Sequence, residues 1–205
     1  MKTTRWVAVA ALAACVGSAH ALIYSGLVST GDPLLKGQAG SEFLTIGGPA
    51  TTAAAPPLID FFPSNYFNNA PGSITRSFSY DVSTATGPAS NGLGLVFQGV
   101  VSGSGSASYI VTVNAIGGGN PVIASGTFNT TPGPGTSYSI TGNLAFSTAV
   151  NNYRVTVQST LSVAPTAPGF VGTSLFEFNH QPVPEPATLA VMGLGVAAFI
   201  RRRRK

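Results

Sequence analysis

Between the two ends of the chain, few side chains can carry chemistry. They are His180, the carboxylates Asp32, Glu42, Asp60, Asp81 and Glu177, and the run Phe61-Phe62-Pro63-Ser64-Asn65-Tyr66-Phe67-Asn68-Asn69. One histidine cannot form the usual multi-histidine metal site, and no Asp-rich calcium loop accompanies Asp32 or Asp60. A Ser-His-Asp relay is formally open, but the G-x-S-x-G elbow that exposes a nucleophilic serine is missing. His180 stands beside a Pro-rich stretch and outside the strand pattern, so it is expected to be a solvated linker residue. Glycoside hydrolysis needs two converging carboxylates, and nothing in the spacing of the five selects a pair. The expectation is therefore no catalytic residue, no metal and no cofactor. The aromatic–amide run allows two readings. Aromatic faces stack on sugar rings and amides bond sugar hydroxyls, which makes Tyr66, Asn65 and Asn68 candidate carbohydrate contacts. Alternatively Phe61, Phe62 and Phe67 plug one end of a core, and that reading is favoured because aromatics dominate core burial.

The elements that must position these residues are strands. From Ile74 to Val82 the residues Ile74, Arg76, Phe78, Tyr80 and Val82 alternate with Thr75, Ser77, Ser79 and Asp81. A period of two puts one face in a core and the other in water. Arg76 interrupts the apolar face and is expected near a strand end. Tyr138, Ile140, Leu144 and Phe146 repeat the pattern, as do Tyr153, Val155, Val157, Leu161 and Val163. Leu93 to Val101 is apolar on both faces, which predicts a central strand. Glu42 to Ile46 and Leu58 to Phe62 read as further strands. Gly103-Ser104-Gly105-Ser106, Gly117-Gly118-Gly119-Asn120-Pro121 and Thr131-Pro132-Gly133-Pro134-Gly135 separate the runs and read as hairpin connections. The fold expected is all-β: a single antiparallel sandwich or jelly roll over 22–179.

The ends read differently. Lys2 and Arg5 precede an apolar run from Val7 to Val16, and the small residues Ala19 and Ala21 follow. Residues 1–21 are thus expected to be a signal peptide cut by signal peptidase before Leu22, since ten apolar residues are too few to span about 30 Å of hydrocarbon. At the other end Val183-Pro184-Glu185-Pro186 closes a Pro-rich stalk over 180–186. An uncharged apolar segment runs from Ala187 to Ile200, and Arg201, Arg202, Arg203, Arg204 and Lys205 follow. Prolines lack N–H donors and hold the chain extended, open to a protease. The apolar segment would be about 21 Å long as a helix, with arginines that can snorkel to complete the span. The basic terminus stays in the cytoplasm and the domain outside.

Removing both ends changes the charge. The whole chain carries +4, but the ends supply seven of its ten cations. Leu22 to Pro186 keeps Lys36, Arg76 and Arg154 against six carboxylates, a net −3. No basic stripe remains, which argues against nucleic acid. Cys15 and Trp6 also fall in the first segment, so the mature domain has no disulfide and no thiol chemistry.

The order of parts in the tail resembles the PEP-CTERM sorting signal of Gram-negative bacteria that make exopolysaccharide. The resemblance covers the last 23 or so residues and nothing of the central domain. It implies recognition by an exosortase-type membrane protease, transient anchoring in the inner membrane, a cut near Pro184-Glu185-Pro186, and release to the surface or the extracellular matrix. For the domain itself three classes stay open. The first, towards which the reading leans, is a non-catalytic, structural matrix protein. The second is a polysaccharide-binding module, which an exposed aromatic strip across a sheet face would favour. The third is a secreted hydrolase, which two carboxylates in a cleft would favour.

Overall fold

A computed structural model describes residues 22–46, 55–84, 89–130 and 136–183. The signal segment, with Ala19 and Ala21, and the tail from Pro184 onward lie outside the described residues. Two antiparallel sheets face each other, and no helix occurs among the described residues. The five-stranded sheet has the order β1-β6-β11-β8-β9. Its strands are β1 (Ile23–Thr30), β6 (Gly72–Ser83), β11 (Asn152–Val163), β8 (Gly105–Ala115) and β9 (Val122–Asn129). The seven-stranded sheet has the order β10-β7-β12-β4-β2-β3, and β5 also pairs with β12. Its strands are β10 (Thr136–Val150), β7 (Ser90–Gly103), β12 (Gly169–Pro182), β4 (Leu58–Phe62), β5 (Phe67–Asn68), β2 (Lys36–Ala39) and β3 (Glu42–Thr45).

The period-two pattern decides which side of each strand is buried. Phe78, Tyr80 and Val82 on β6 face inward beside Val157, Val155 and Tyr153, their register partners on β11. Across the gap Phe78 and Tyr80 meet Phe61, Phe176 and Phe178, with ring centroids 4.8–6.3 Å apart in tilted and edge-on pairs. β7, apolar on both faces, is central in its sheet, between β10 and β12.

Four sequence expectations change. Gly103-Ser104-Gly105 is not a hairpin: it carries the chain from β7 in one sheet to β8 in the other. Gly105 is fixed by crowding, because a Cβ there would overlap the carbonyl oxygen of Phe170. Residues 131–135 lie outside the described residues, but the strands they join, β9 and β10, belong to different sheets. The Gly117–Pro121 run is a true hairpin between β8 and β9, with Gly117, Gly118, Gly119 and Asn120 all at positive φ. Arg76 is the fifth residue of the twelve-residue β6 rather than a strand-end residue. Finally, β12 continues through His180, Gln181 and Pro182, three residues the sequence assigns to the stalk.

Gly99 on β7 supplies a test of the packing. A Cβ at this position would overlap the Gly172 carbonyl oxygen and the Tyr138 hydroxyl. That hydroxyl belongs to a closed network: Tyr138 donates to Gly172 C=O at 3.1 Å, and Tyr109, Tyr138 and Thr173 share their hydroxyl bonds. Gly99→Ala is expected to destabilise the domain by about 1–3 kcal/mol, measured as a shift of the urea midpoint at constant slope.

Candidate functional site

The aromatic–amide run divides between inside and outside. Register on β12 decides it: Asn68 pairs with Val171, whose side chain is buried, so Phe67, opposite Gly172, points outward. On β4, Ile59 and Phe61 are buried while Leu58, Asp60 and Phe62 point to the outer face. Phe62 and Phe67 are each 45% exposed. They are not core plugs, whereas Phe61 is.

The proposed contact residues fare differently. Tyr66 is buried, and its ring packs edge-on against Phe176 at 5.3 Å. Asn68 is buried too, and its amide donates to the carbonyls of Gly72 and Leu161 at 3.0 and 3.1 Å. Asn65 donates its side-chain amide to Gly31 C=O at 2.8 Å. The amides offered to a sugar by the sequence are instead bonded to backbone carbonyls of Gly31, Gly72 and Leu161.

What remains available is the outer face of the seven-stranded sheet. Along one edge of β12 stand Leu58, Asp60 and Phe62 of β4 and then Phe67 of β5. Phe170 on β12 folds its ring over Gly172, next to the Cβ of Phe67. Beyond β4, Phe43 on β3 is 58% exposed and shares a row with Gln38 and Asp60. The same row continues through Glu177 on β12, Val96 on β7 and Thr141 on β10. Toward the other end the face turns polar. Asn179 and Gln181 on β12 and Asn143 on β10 flank Gly92 and Gly94 of β7, and Gln181 donates to the Asn143 side-chain oxygen at 3.3 Å. Glycine at these outward positions lowers the floor between Asn179 and Gln181 on one side and Asn143 on the other, and the Gln181 side chain lies over Gly92. The result is one broad face with aromatic rings at one end and amides over a glycine floor at the other.

The five-stranded sheet presents a contrast. Its outer face is a carpet of hydroxyls, with Ser73 bonded to Ser162 at 2.8 Å and Thr75 to Thr160 at 3.5 Å. Arg154 donates two bonds to Asp81 there, at 2.7 and 2.9 Å.

The five carboxylates are now placed. Asp32 is buried and caps its own loop, and Glu42 is exposed on β3. Asp81 pairs with Arg154. Asp60 and Glu177, which no sequence spacing links, are direct cross-strand partners. They stand side by side on an open sheet face. One Asp60 oxygen is buried without a partner, and burial pushes its carboxyl above the usual carboxylate range. Among the described residues no group of three or more His, Cys, Asp or Glu could hold a metal.

His180 corrects the sequence reading most sharply. It is 1% exposed, on the inner face of β12, with both ring nitrogens at tyrosine hydroxyls. The signal was present: Phe176, Phe178 and His180 continue one period-two face, which the neighbouring prolines masked.

Residues 182–205 match the PEP-CTERM protein-sorting motif. That motif marks the chain for export and exosortase-mediated sorting to the cell surface, as is typical of Gram-negative bacteria. No curated protein matches the chain. Solved structures similar to it include TmCBM61 in complex with beta-1,4-galactotriose, at 15% identity and TM-score 0.36, covering 77% of this chain and 90% of that one. Another is the CBM36-1 domain of a multidomain xylanase from the hindgut metagenome of Trinervitermes trinervoides, at 14% identity and TM-score 0.30, covering 76% of this chain and 100% of that one. A third is Family 16 Carbohydrate Binding Module-2, at 11% identity and TM-score 0.31, covering 71% and 86%.

Proposed function

We propose that this exported chain is a non-catalytic polysaccharide-binding protein of the extracellular matrix, and that it holds its ligand on the outer face of the seven-stranded sheet. The observation that carries this reading is the outward placement of Phe62 and Phe67 on one edge of β12. An exposed aromatic strip on a sheet face is the feature that separates a sugar-binding module from an inert structural one. Exposed aromatics cost solubility unless something covers them, and grouped ones mark interaction faces. A sugar ring offers them a flat array of C–H groups and offers hydroxyls to Asn143, Asn179 and Gln181. Along a strand, outward residues recur at roughly 6.6 Å, near the scale of a sugar unit, so a chain lying along β12 can meet several of them in turn.

The absence of catalysis belongs to the same proposal. Asp60 and Glu177 lie on an open face between Phe43 and Val96, where they suit hydrogen bonding to sugar hydroxyls better than attack on an enclosed anomeric carbon. The test uses the exported protein and the host's own exopolysaccharide. Retardation in gels containing the polysaccharide is expected, and Phe62→Ala and Phe67→Ala should each weaken binding by about tenfold. Thr156→Ala on the hydroxyl face should leave it unchanged. Binding unaffected by either phenylalanine substitution would move the site elsewhere. Release of reducing ends, lost in Asp60→Asn, would replace the binding reading with the hydrolase.

A further inference from the structure

Both ends of the described chain reach the same pole of the sandwich. Leu22, the residue expected to follow the signal cut, is buried and exchanges backbone bonds with Ala55 at 2.9 and 2.8 Å. Two residues on, Pro57 C=O accepts from His180 N–H at 2.9 Å, and the Tyr24 and His180 rings lie 5.5 Å apart. Val183 closes the other end by donating to Ala89 C=O. The opposite pole carries the Gly103–Gly105 crossing and the loop from Val163 to Gly169.

A third feature projects from the pole of the two ends. Register across the five-stranded sheet makes Tyr24, Val82, Tyr153 and Ala115 one row. The next residue, Ile116, donates its N–H to Asn152 C=O at 2.9 Å, level with Ser83 and Ile23. The β8–β9 hairpin therefore carries on past the row that holds Ile23, which lies about 14 Å away across three strand spacings. Every residue from Ile116 to Val122 is exposed, and a Cβ on Gly117, Gly118 or Gly119 would meet nothing within 4 Å. Ile116 and Val122 are 45% and 58% exposed. Asn120 ties the polar groups of the tip inward. Its N–H donates to Gly117 C=O at 3.1 Å, its Oδ1 accepts from Gly117 N–H at 3.0 Å, and its C=O accepts from the Asn114 amide at 3.0 Å. The hairpin is uncharged, and so are Ile23, Ser83 and Asn152 beside it. The first charges inward on β6 and β11 are Asp81 and Arg154, which pair at 2.7 Å.

An uncharged tip with apolar side chains outermost enters a lipid headgroup layer at little desolvation cost. Two such side chains alone hold a free protein weakly. A membrane segment joined to the same pole makes the contact intramolecular, at an effective concentration on the order of millimolar. We propose that the β8–β9 hairpin, Ile116 to Val122, is a lipid-contact site that seats this pole on the outer leaflet of the inner membrane while the tail still anchors the chain. Cutting the tail removes the effective concentration, so one cleavage frees both contacts. This seat presupposes that the tail anchors the chain and owes nothing to the sugar-binding reading. Phe67, opposite Gly172 and ten residues along β12 from Pro182, then stands about 30 Å from the lipid, and the aromatic end of the outer face points away from the membrane.

The test uses the full chain, made in a host without an exosortase so that it keeps its tail, and placed in vesicles of phosphatidylethanolamine and phosphatidylglycerol. A single introduced cysteine carries an environment-sensitive fluorophore, because signal removal takes Cys15 with it. Nitroxide on the lipid headgroups should quench a label at Val122→Cys by about twofold. It should leave a label at Thr166→Cys, in the exposed loop at the opposite pole, unquenched. Ile116→Asp should bring the Val122 label down to the Thr166 level with Tm unchanged, since Ile116 lies at the surface. The exported, tail-free protein should show no quenching at the same lipid concentration. A Val122 label that behaves like the Thr166 label in the anchored chain overturns the proposal alone. A full chain that never enters the vesicles overturns the anchor and the proposal together. A Val122 label shifted to the blue but untouched by nitroxide also overturns it, and puts a second protein copy against the hairpin.

Discussion

Between pH 7 and pH 4 the domain is expected to lose about 3 kcal/mol of folding stability through His180 alone. The ring is enclosed by Tyr24, Tyr80 and Tyr153, with centroids 5.5, 5.9 and 5.6 Å away. Tyr80 Oη lies 3.2 Å from Nε2 and Tyr153 Oη lies 2.6 Å from Nδ1, and Tyr153 donates to Ser90 Oγ at 3.2 Å. These bonds fit one neutral tautomer. Tyr80 donates to Nε2, Nδ1–H donates to Tyr153, and Tyr153 passes its own proton to Ser90. A second ring proton would force Tyr80 to turn round and would leave a charge with no carboxylate beside it. Burial therefore pulls the imidazole down to about 3 from its usual 6.5. The folded pKa lies below the unfolded one, so the unfolded chain binds the proton first. The stability is fully present above about pH 6.5 and is lost as pH falls toward 3. Urea melts at pH 7 and pH 4 check this against His180→Gln. The substitution should lower stability at pH 7 and flatten the pH dependence. Equal acid sensitivity in both proteins would assign the loss to carboxylates instead.

The same histidine marks the boundary of what could be read in advance. Strands half-buried on one side, such as β6 and β11, announce themselves by alternation, and β7 announces its central position by being apolar on both faces. The strand pairing that builds a site is different, because it joins distant residues. Asp60 and Glu177 become neighbours only once β4 pairs with β12. The aromatic run contains Phe61, facing in, and Phe62, facing out, one residue apart. Composition could not separate them, and the favoured reading buried both. The amides were legible as polar and not as occupied: Asn65 and Asn68 look like ligand contacts until their bonds to the carbonyls of Gly31, Gly72 and Leu161 are known. The tail is legible for the opposite reason. Its parts act in sequence order, as an extended proline strip, an apolar segment and a basic stop, so no long-range pairing is needed to read them.

That linear order meets the fold at Val183, and the largest effect follows from the junction. β12 is an internal strand of its sheet, bonded to β7 as far as Pro182 opposite Ser90, with a shift in register between Gln181 and Pro182. Val183 N–H then donates to Ala89 C=O at 2.7 Å. Pro184 and Pro186 have no N–H to continue such a ladder, so pairing with β7 cannot propagate into the motif. The sheet thus holds the chain as far as Val183, immediately before the motif. The apolar segment and its cations would hold that motif beside the outer surface of the inner membrane, within reach of a membrane protease. Replacing Pro184, Glu185 and Pro186 with alanine is expected to abolish release and leave an uncut, membrane-bound form. Deleting Arg201 to Arg204 is expected to weaken retention and mis-sort the protein. Intact mass of the extracellular product is the measurement. A product ending near Pro184-Glu185-Pro186 fits processing at the junction. A product that still carries Arg201 to Lys205 would make the tail a plain anchor, and the prolines would then be only a stalk between the sheet and the membrane.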